Sequence, residues 1–381
     1  GKTTVTRWLA QALNHLGKKA AVIGTLGYGE PDQLKAHTGL TTPDVVGVHH
    51  LLHELRQHQF DTVCIEASSI GLEQRRLACV SIDVALFTNL SQDHLDYHGD
   101  MAAYGRSKMI LASWPTLRLA VVNADDSFGM EFLANVQRRN IDCSAVGRAD
   151  SAECQILSVA HQENGQRIEL KINGASTQID TSIIGEFNAD NMALVFATLI
   201  RLGYDASQVK SALAEVTPAP GRMQHIEGEP AVVVDYAHTP DALEKTLLAL
   251  RPFANKRQGK LWVVFGCGGD RDRSKRPLMG AAAADKADFV VVTSDNPRSE
   301  KPENILQEIV DGIDKARQDK LHVEVDRVRA IEFAVAKASA KDVVLLAGKG
   351  HESTQTIGAQ VIAHSDVQCA TSALGKRGAH A

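Results

Sequence analysis

The sequence predicts two successive α/β domains, each built on a doubly wound sheet of mostly parallel strands with helices between them. Three observations lead there. Short apolar runs of strand length recur along the chain, among them Thr62-Val63-Cys64-Ile65, Val84-Ala85-Leu86-Phe87, Leu261-Trp262-Val263-Val264-Phe265 and Val343-Val344-Leu345-Leu346. Runs this short and continuous, bounded by polar residues, suit strands buried on both faces. Helix-period segments separate them, and that alternation is the signature of a parallel α/β sheet. Finally, Thr217-Pro218-Ala219-Pro220-Gly221-Arg222 interrupts the alternation, which then restarts. Proline and glycine punctuate a chain in this way, so residues 1–220 and 221–381 are expected to be the two domains.

In order, Gly1-Lys2-Thr3-Thr4 runs straight into a helical pattern from Val5 to Leu13. A phosphate-binding loop needs backbone N–H groups freed by glycine, a lysine for the β- and γ-phosphates, and a hydroxyl for Mg²⁺. Placing it at a helix N-terminus adds the helix dipole. The tetrapeptide reads as the end of such a P-loop, and the chain is expected to be a fragment lacking an N-terminal piece. The first domain is thus expected to be of the P-loop ATPase type. A strand is expected over Lys19–Thr25, turns over residues 27–43, and a helix from Val45 to Gln57. Glu66 follows one apolar run, where a carboxylate near a phosphate can hold Mg²⁺ through hard oxygen ligands. The run 89–99, Asn-Leu-Ser-Gln-Asp-His-Leu-Asp-Tyr-His-Gly, follows the next. Its chemistry alone assigns His94 no role, and by pattern alone Lys108, in a helix from Met101 to Ser113, is a surface lysine. Leu119–Asn123 reads as another strand. From Cys154 to about Ile184 the period approaches two, with turn signals at Glu163-Asn164-Gly165 and Asn173-Gly174, so antiparallel hairpins are expected there. A helix is expected from Met192 to Leu202.

In the second domain four strands end in loops rich in Gly, Asp, Arg or His. They lead into Asp235-Tyr236-Ala237-His238-Thr239-Pro240, Gly266-Cys267-Gly268-Gly269-Asp270-Arg271-Asp272, Ser294-Asp295-Asn296-Pro297-Arg298 and Gly348-Lys349-Gly350-His351-Glu352. A second site at these strand ends is the natural expectation. The glycines of residues 266–269 do not form G-x-G-x-x-G, and no matching acidic residue follows, so this Rossmann-like domain is not expected to bind a dinucleotide.

The formal net charge of −5 speaks against a nucleic-acid partner. No apolar run reaches the roughly 18 residues of a membrane span, and no signal peptide is visible. The six cysteines are scattered without a C-x-x-C pair, as in a cytosolic enzyme with reduced thiols. A cytoplasmic monomer is therefore the expectation.

Taken together and in this order, the quoted motifs resemble the Mur ligases, the ATP-dependent amino-acid-adding enzymes of peptidoglycan synthesis. The chain is most similar to the members that add meso-diaminopimelate. The resemblance implies a central ATP-binding domain and a C-terminal domain for the incoming amino acid, with the family's N-terminal domain outside the chain. It implies ATP and Mg²⁺ as cofactors and a place in cell-wall biogenesis, cell shape and cell division. Gly1, Lys2, Thr3, Thr4, Asn191, Arg222, His238 and Arg327 match nucleotide contacts. Thr3, Glu66, His94 and Lys108 match metal ligands, Lys108 as a carbamate, which turns a cation into an anionic oxygen ligand. Lys2, Glu66, His94 and Lys108 would thus carry the catalysis. Thr41, Thr42, Ser68, Gln74 and Arg76 match positions that hold the UDP-N-acetylmuramoyl dipeptide. Arg271, Asp295, Asn296, Arg298, Gly348 and Glu352 match the diaminopimelate pocket. There Arg298 would take the distal carboxylate bidentately, and Glu352 would face the distal ammonium. Ile70 departs from the family's histidine and is assigned no contact, and nothing is assigned after Asp366. The alternatives are a lysine-adding relative, folylpolyglutamate synthetase and, from another class, a catalytically silent scaffold. The loop Asp295-Asn296-Pro297-Arg298 speaks against the first two, and the filled catalytic positions against the last.

Overall fold

A computed structural model describes residues 1–36, 39–91, 93–162 and 165–378, with Asp96 described in its backbone only. The turn signal at Glu163 and Asn164, and Gln92 of the run 89–99, therefore lie outside the described residues. The chain divides into two compact units. The first is Gly1–Ala160 with Gly165–Ser182 and Glu186–Thr217; the second centres on Pro218–Ala381.

Unit 1 opens with α1 (Lys2–His15), β1 (Ala20–Gly24) and β2 (Gly27–Gly29), then α2 (Val45–Gln57), β3 (Thr62–Ile65) and α3 (Ser69–Glu73). It continues with β4 (Val84–Phe87), α4 (Leu95–His98), α5 (Met101–Met109) with a 3₁₀ turn over Ile110–Ser113, β5 (Leu119–Asn123), α6 (Ser127–Arg138) and β6 (Asp142–Gly147). Then come β7 (Cys154–Gln162), β8 (Gly165–Ile172), β9 (Ala175–Thr181), α7 (Glu186–Arg201) and α8 (Ala206–Ala214). Local chemistry sets the helix starts. Asp44, Ser68, Asp100 and Asp126 each accept a hydrogen bond from a backbone N–H of the turn that follows, capping α2, α3, α5 and α6.

The α/β class is as expected, but the strands of unit 1 form two sheets rather than one. One has the order β2-β1-β3 and the other β4-β5-β6-β7-β8-β9. β1 and β3 are parallel, as are β4, β5 and β6, while β8 and β9 form the expected antiparallel hairpin. A further difference is α7, which starts at Glu186 rather than Met192. Asn188 and Asn191 lie one turn apart in it, and Asn191 Nδ2 donates to Asn188 Oδ1 at 3.2 Å, so the polar run is a buried helix start.

Unit 2 holds β10 (Gln224–Ile226), β11 (Ala231–Asp235), α9 (Pro240–Lys256), β12 (Leu261–Phe265), α10 (Lys275–Lys286) and β13 (Phe289–Val292). After these come α11 (Pro302–Val310), β14 (Leu321–Val323), α12 (Arg327–Lys337), β15 (Val343–Ala347), the hairpin β16 (Thr354–Ile357) and β17 (Gln360–Ala363), and α13 (Asp366–Gly378). Its main sheet has the order β10-β11-β15-β12-β13-β14. All its neighbours are parallel except the β10–β11 pair at one edge. Every residue of β11, β12 and β15 is buried. Their alternate side chains meet α12 and α13 in one apolar cluster that includes Val264, Leu346, Ile331 and Ala370. Within each unit the polar strand ends form a cluster of their own.

Candidate active site

In unit 1 the start of α1 meets the end of β3. No side chain caps α1, whose first position is Gly1, so this helix end suits an anion. A Cβ on Gly1 would lie 2.6 Å from Asn191 Oδ1, and one on Gly24 would lie 2.2 Å from Glu66 Oε1. Glycine at these two places lets the loop approach both side chains. Thr3 Oγ1 donates to Glu66 Oε2 at 3.0 Å, although the two lie 63 residues apart in sequence. Thr25 adds its backbone N–H to Glu66 Oε1 and its hydroxyl to Glu66 Oε2, both at 3.1 Å. Hydroxyl and carboxylate oxygens beside a phosphate site form the donor set of a hard divalent cation, so Thr3 and Glu66 fit Mg²⁺.

The network runs on without a break. Thr25 Oγ1 and Thr41 Oγ1 share a hydrogen bond of 3.0 Å, and Thr42 Oγ1 donates to the Glu66 carbonyl at 2.7 Å. Ser68 N–H donates to Thr42 Oγ1 at 3.0 Å, and Arg76 Nη1 to the Thr42 carbonyl at 2.8 Å. Arg76 also holds Gln74 Oε1, while Gln74 Nε2 donates to Tyr97 Oη at 3.0 Å. Thr3, Glu66, Thr41, Thr42, Ser68, Gln74 and Arg76 are thus one hydrogen-bonded group.

His94 and Lys108 form a neighbouring patch. His94 adopts a left-handed backbone conformation, φ 54°, and its Nε2 lies 3.5 Å from Asp93 Oδ2. The rings of His94 and His98 both pack on Tyr104, and Lys108 Nζ sits 4.9 Å from the centre of that ring. Burial, helped by the charge of Lys2, lowers the Lys108 ammonium to about 7. Lys108 is therefore far from an ordinary solvated lysine, which is what its pattern alone suggested.

Unit 2 presents two clusters. The first surrounds Tyr236. Arg222 stacks its guanidinium 4.6 Å from the ring centre, and His238 and His351 pack on the same ring. His238 Nδ1 lies 2.8 Å from the Tyr236 carbonyl. A carbonyl only accepts, so Nδ1 carries the proton and Nε2 is left as an acceptor when the ring is neutral. Burial, and after it the charge of Arg222, lowers the pKa of His351 and so favours its neutral form. Arg222 Nε and His351 Nδ1 are buried without a partner among the described residues, which leaves unused hydrogen-bonding capacity in this cluster.

The second cluster gathers residues expected to line the amino-acid pocket. Asn296 Nδ2 donates to Glu352 Oε2 at 2.9 Å. The buried Lys349 ammonium donates to the same oxygen at 3.0 Å and to Asn296 Oδ1 at 3.2 Å, and it lies 3.5 Å from Asp295 Oδ1. Arg298 has φ 50° and donates from Nη1 to the Gly269 carbonyl at 2.7 Å. Arg271 is exposed and donates to the Asp270 carbonyl. Gly348 has φ 110°, in a region that L side chains avoid, and its N–H donates to the Asp235 carbonyl.

Arg327, expected among the nucleotide contacts, already has partners of its own. It is fully buried, paired through Nε and Nη2 with Asp366 at 2.8 and 2.6 Å, and it donates to the Ser294 and Ala347 carbonyls. Asp366, held well below the usual carboxylate range by Arg327 despite its burial, also takes His364 at 2.8 Å. These residues brace the loops that carry Asp295 and Gly348.

Sequence reasoning also missed several supports. Arg276, fully buried on α10, donates to the Gly268 carbonyl and pairs with Glu300 and Glu308. Glu300 in turn accepts from Asp270 N–H at 2.7 Å, so one guanidinium ties the two loops of the pocket together. The β16–β17 hairpin fastens the same loop from its other side. Gln355 Nε2 donates to the Asp295 carbonyl and Thr356 N–H to Asn296 Oδ1. Lys349 stood inside a quoted motif, just after the apolar run of β15. Thr25, at the end of β1, had the same strand-end signal as Glu66.

The family described as Mur ligase middle domain matches residues 1–199, and that described as Mur ligase, glutamate ligase domain matches residues 221–350. The UDP-N-acetylmuramoyl-L-alanyl-D-glutamate–2,6-diaminopimelate ligase of Acidovorax sp. (strain JS42) is 45% identical over 388 residues, covering 99% of this chain and 77% of that protein. The ligase of the same name from Chromobacterium violaceum is 46% identical over 385 residues, covering 99% and 76%. A solved structure of a UDP-N-acetylmuramoyl-L-alanyl-D-glutamate–2,6-diaminopimelate ligase superposes with a TM-score of 0.72 at 37% identity, covering 99% of this chain and 77% of the other.

Proposed function

The chain belongs to the Mur ligase family, and on that premise we propose that it joins 2,6-diaminopimelate to UDP-N-acetylmuramoyl-L-alanyl-D-glutamate at the expense of ATP. One observation carries the reading: the hydrogen bond from Thr3 to Glu66 at the start of α1. It brings together a hydroxyl, next to Lys2 in the chain, and a carboxylate, groups that ATP cleavage needs. The relatives' shared name and the build of the pocket around Arg298 support the choice of amino acid.

The substrate carboxylate oxygen attacks the γ-phosphorus, the bond to ADP breaks, and an acyl phosphate forms. The amine nitrogen then attacks the acyl carbon, the bond to phosphate breaks, inorganic phosphate leaves, and the nitrogen loses a proton. Two anions meet in the first step, so fixed positive charge supplies most of the stabilisation. Lys2, at the start of α1, would neutralise the β- and γ-phosphates. Thr3 and Glu66 would hold Mg²⁺, which would supply positive charge against the phosphates. His94 and carbamylated Lys108 are proposed as ligands of a second ion. A lysine amine lowered to about 7 is substantially neutral at neutral pH, so its nitrogen can attack carbon dioxide and release a proton. Thr41, Thr42, Ser68, Gln74 and Arg76 would orient the dipeptide. Arg222, His238 and Asn191 remain proposed nucleotide contacts. Arg298 and Arg271 would take the distal carboxylate, and Glu352 with Asn296 the distal amine.

The test is ATP-dependent phosphate release by the protein at the length of its relatives, supplied with the UDP-muramoyl dipeptide. Diaminopimelate, lysine or glutamate is offered in turn. Release with diaminopimelate alone is expected, and release with lysine would overturn the role of Arg298. No release with any amine would favour the scaffold reading. Lys108 is tested with ¹³C-bicarbonate: a carbamate signal is expected above about pH 7, fading below it, and its absence in wild type would remove Lys108 from the metal site.

A further inference from the structure

Unit 2 buries a lysine among the residues expected to receive the distal end of the amino acid. Lys349 comes just after β15, with φ of 110° at Gly348 and 53° at Gly350 on either side. Positive φ at both neighbours suits glycine and redirects the chain at the strand end. The Lys349 side chain keeps no exposed surface. An ammonium has three N–H donors and no acceptor. Those of Lys349 meet Glu352 Oε2 at 3.0 Å, Asn296 Oδ1 at 3.2 Å and Asp295 Oδ1 at 3.5 Å. It has no donor left for a ligand, so any action on one passes through these three residues.

Each carboxylate spends one oxygen on this cation. Glu352 Oε2 also accepts from Asn296 Nδ2 at 2.9 Å, while Glu352 Oε1 and Asp295 Oδ2 have no hydrogen bond among the described residues. The Glu352 and Asp295 side chains are 32% and 14% exposed, so a ligand can reach them where it cannot reach Lys349. Asn296 Oδ1 accepts from Thr356 N–H as well as from Lys349, so Asn296 serves the site by holding Glu352. Two carboxylates against one fixed ammonium leave a single negative charge unmatched. Arg327, a second buried cation that acts on both carboxylates, is itself matched by Asp366. The distal end of diaminopimelate brings one ammonium and one carboxylate. The first meets the unmatched charge and the second meets Arg298. A charge left over in a half-buried site is costly, so the count of charges discriminates between ligands.

We propose that Lys349 is a specificity-determining residue that acts without touching the substrate: it offsets one of two carboxylates and holds both in place, so that the pocket accepts a zwitterionic distal end and rejects one of net positive or net negative charge. The proposal rests on reading this pocket as the diaminopimelate site. Lysine is diaminopimelate without its distal carboxylate, and 2-aminopimelate is diaminopimelate without its distal amine. The three amines therefore present distal ends that are cationic, zwitterionic and anionic. Removing the Lys349 charge makes the site more negative and favours lysine. Removing the Asp295 charge makes it more positive and favours 2-aminopimelate.

The experiment measures kcat/KM for phosphate release with each of the three amines, using the protein at the length of its relatives with ATP and the UDP-muramoyl dipeptide. Wild type is expected to prefer diaminopimelate. In Lys349→Met the preference for diaminopimelate over lysine should fall at least about tenfold, with KM for ATP unchanged. In Asp295→Asn the preference for diaminopimelate over 2-aminopimelate should fall instead. The double variant Lys349→Met/Asp295→Asn restores the charge count and should regain most of the wild-type order. A role in folding alone would lower the rates with all three amines together and leave their ratios as in wild type, and that outcome overturns the proposal. If circular dichroism finds Lys349→Met unfolded, Asp295→Asn decides, and an unmoved order of amines there overturns the proposal. A wild type that prefers lysine overturns the reading of the pocket and the proposal with it. A wild type that prefers diaminopimelate, with variants that keep its ratios, overturns the proposal alone.

Discussion

The two units build their sheets from nearly the same residues and bury them differently. In unit 2 the interior strands β11, β12 and β15 are buried at every position, because each has a hydrogen-bonded neighbour on both sides and helices over its faces. In unit 1 β3 and β4 are no less apolar, yet Val63, Ile65, Val84 and Leu86 remain half-buried. What differs is the edge. An apolar run of four or five residues states that a strand is to be buried, but the neighbour that completes its ladder decides whether it is.

That difference can be broken most sharply in the middle of each sheet. Val264→Asp places a carboxylate among fully buried neighbours and is expected to cost more than about 5 kcal/mol, enough to unfold unit 2. Leu86→Asp, at a half-buried position of β4, is expected to cost about 1–2 kcal/mol. Urea denaturation followed by circular dichroism compares them, and equal losses would erase the distinction between the sheets. Next in size is Arg327→Met, which leaves Asp366 charged and buried and is expected to cost about 3–5 kcal/mol. The double variant Arg327→Met/Asp366→Leu should recover most of that loss, since it removes both charges.

Smaller effects separate the units by function. Arg298→Ala in unit 2 should raise KM for diaminopimelate about 10- to 100-fold, the value of a lost charged hydrogen bond of about 1.5–3 kcal/mol, and leave KM for ATP unchanged. Lys2→Ala in unit 1 should do the reverse, lowering kcat and weakening ATP while sparing the amino acid. Initial rates with each substrate varied would expose any crossing of these effects. The smallest is a pH effect at Glu300. Arg276, with the Asp270 N–H, holds this carboxyl down to about 2 from an ordinary 4.5. Its folded value is depressed, so its stabilisation is full above about pH 4.5 and is lost as pH falls towards about 2. The stability gap between wild type and Glu300→Gln should therefore narrow over that window, and a gap independent of pH would argue that the charge on Glu300 is not what holds the pocket.

Much of this was legible beforehand because it is local. The strands at Thr62–Ile65, Val84–Phe87 and Leu261–Phe265 appear where the apolar runs predict them. The polar residues that follow them lie in the clusters expected at strand ends. Helix caps such as Asp44 and Asp126 obey the chemistry of their own turn. The partner of Arg327 was not legible for a physical reason: an exposed arginine and one locked to Asp366 carry the same letter, and the partner is 39 residues away. Lys108 was not legible either. Its helix pattern gave no sign that the amine would be buried, with Lys2 near enough to help depress its pKa.

By itself, then, the sequence determined the α/β class, the alternation of strands and helices, and the polar residues that follow the strands, because each depends on residues within a turn or two of one another. Only the tertiary structure decided which of those groups meet. It set Thr3 against Glu66, stacked Arg222 on Tyr236, sank Lys349 between Asn296 and Glu352, and let Arg276 and the Arg327–Asp366 pair brace the loops that carry the pocket. Those contacts join elements far apart in the chain. They depend on packing and on the cost of burying a charge without its partner, and neither quantity is written in any local stretch of residues.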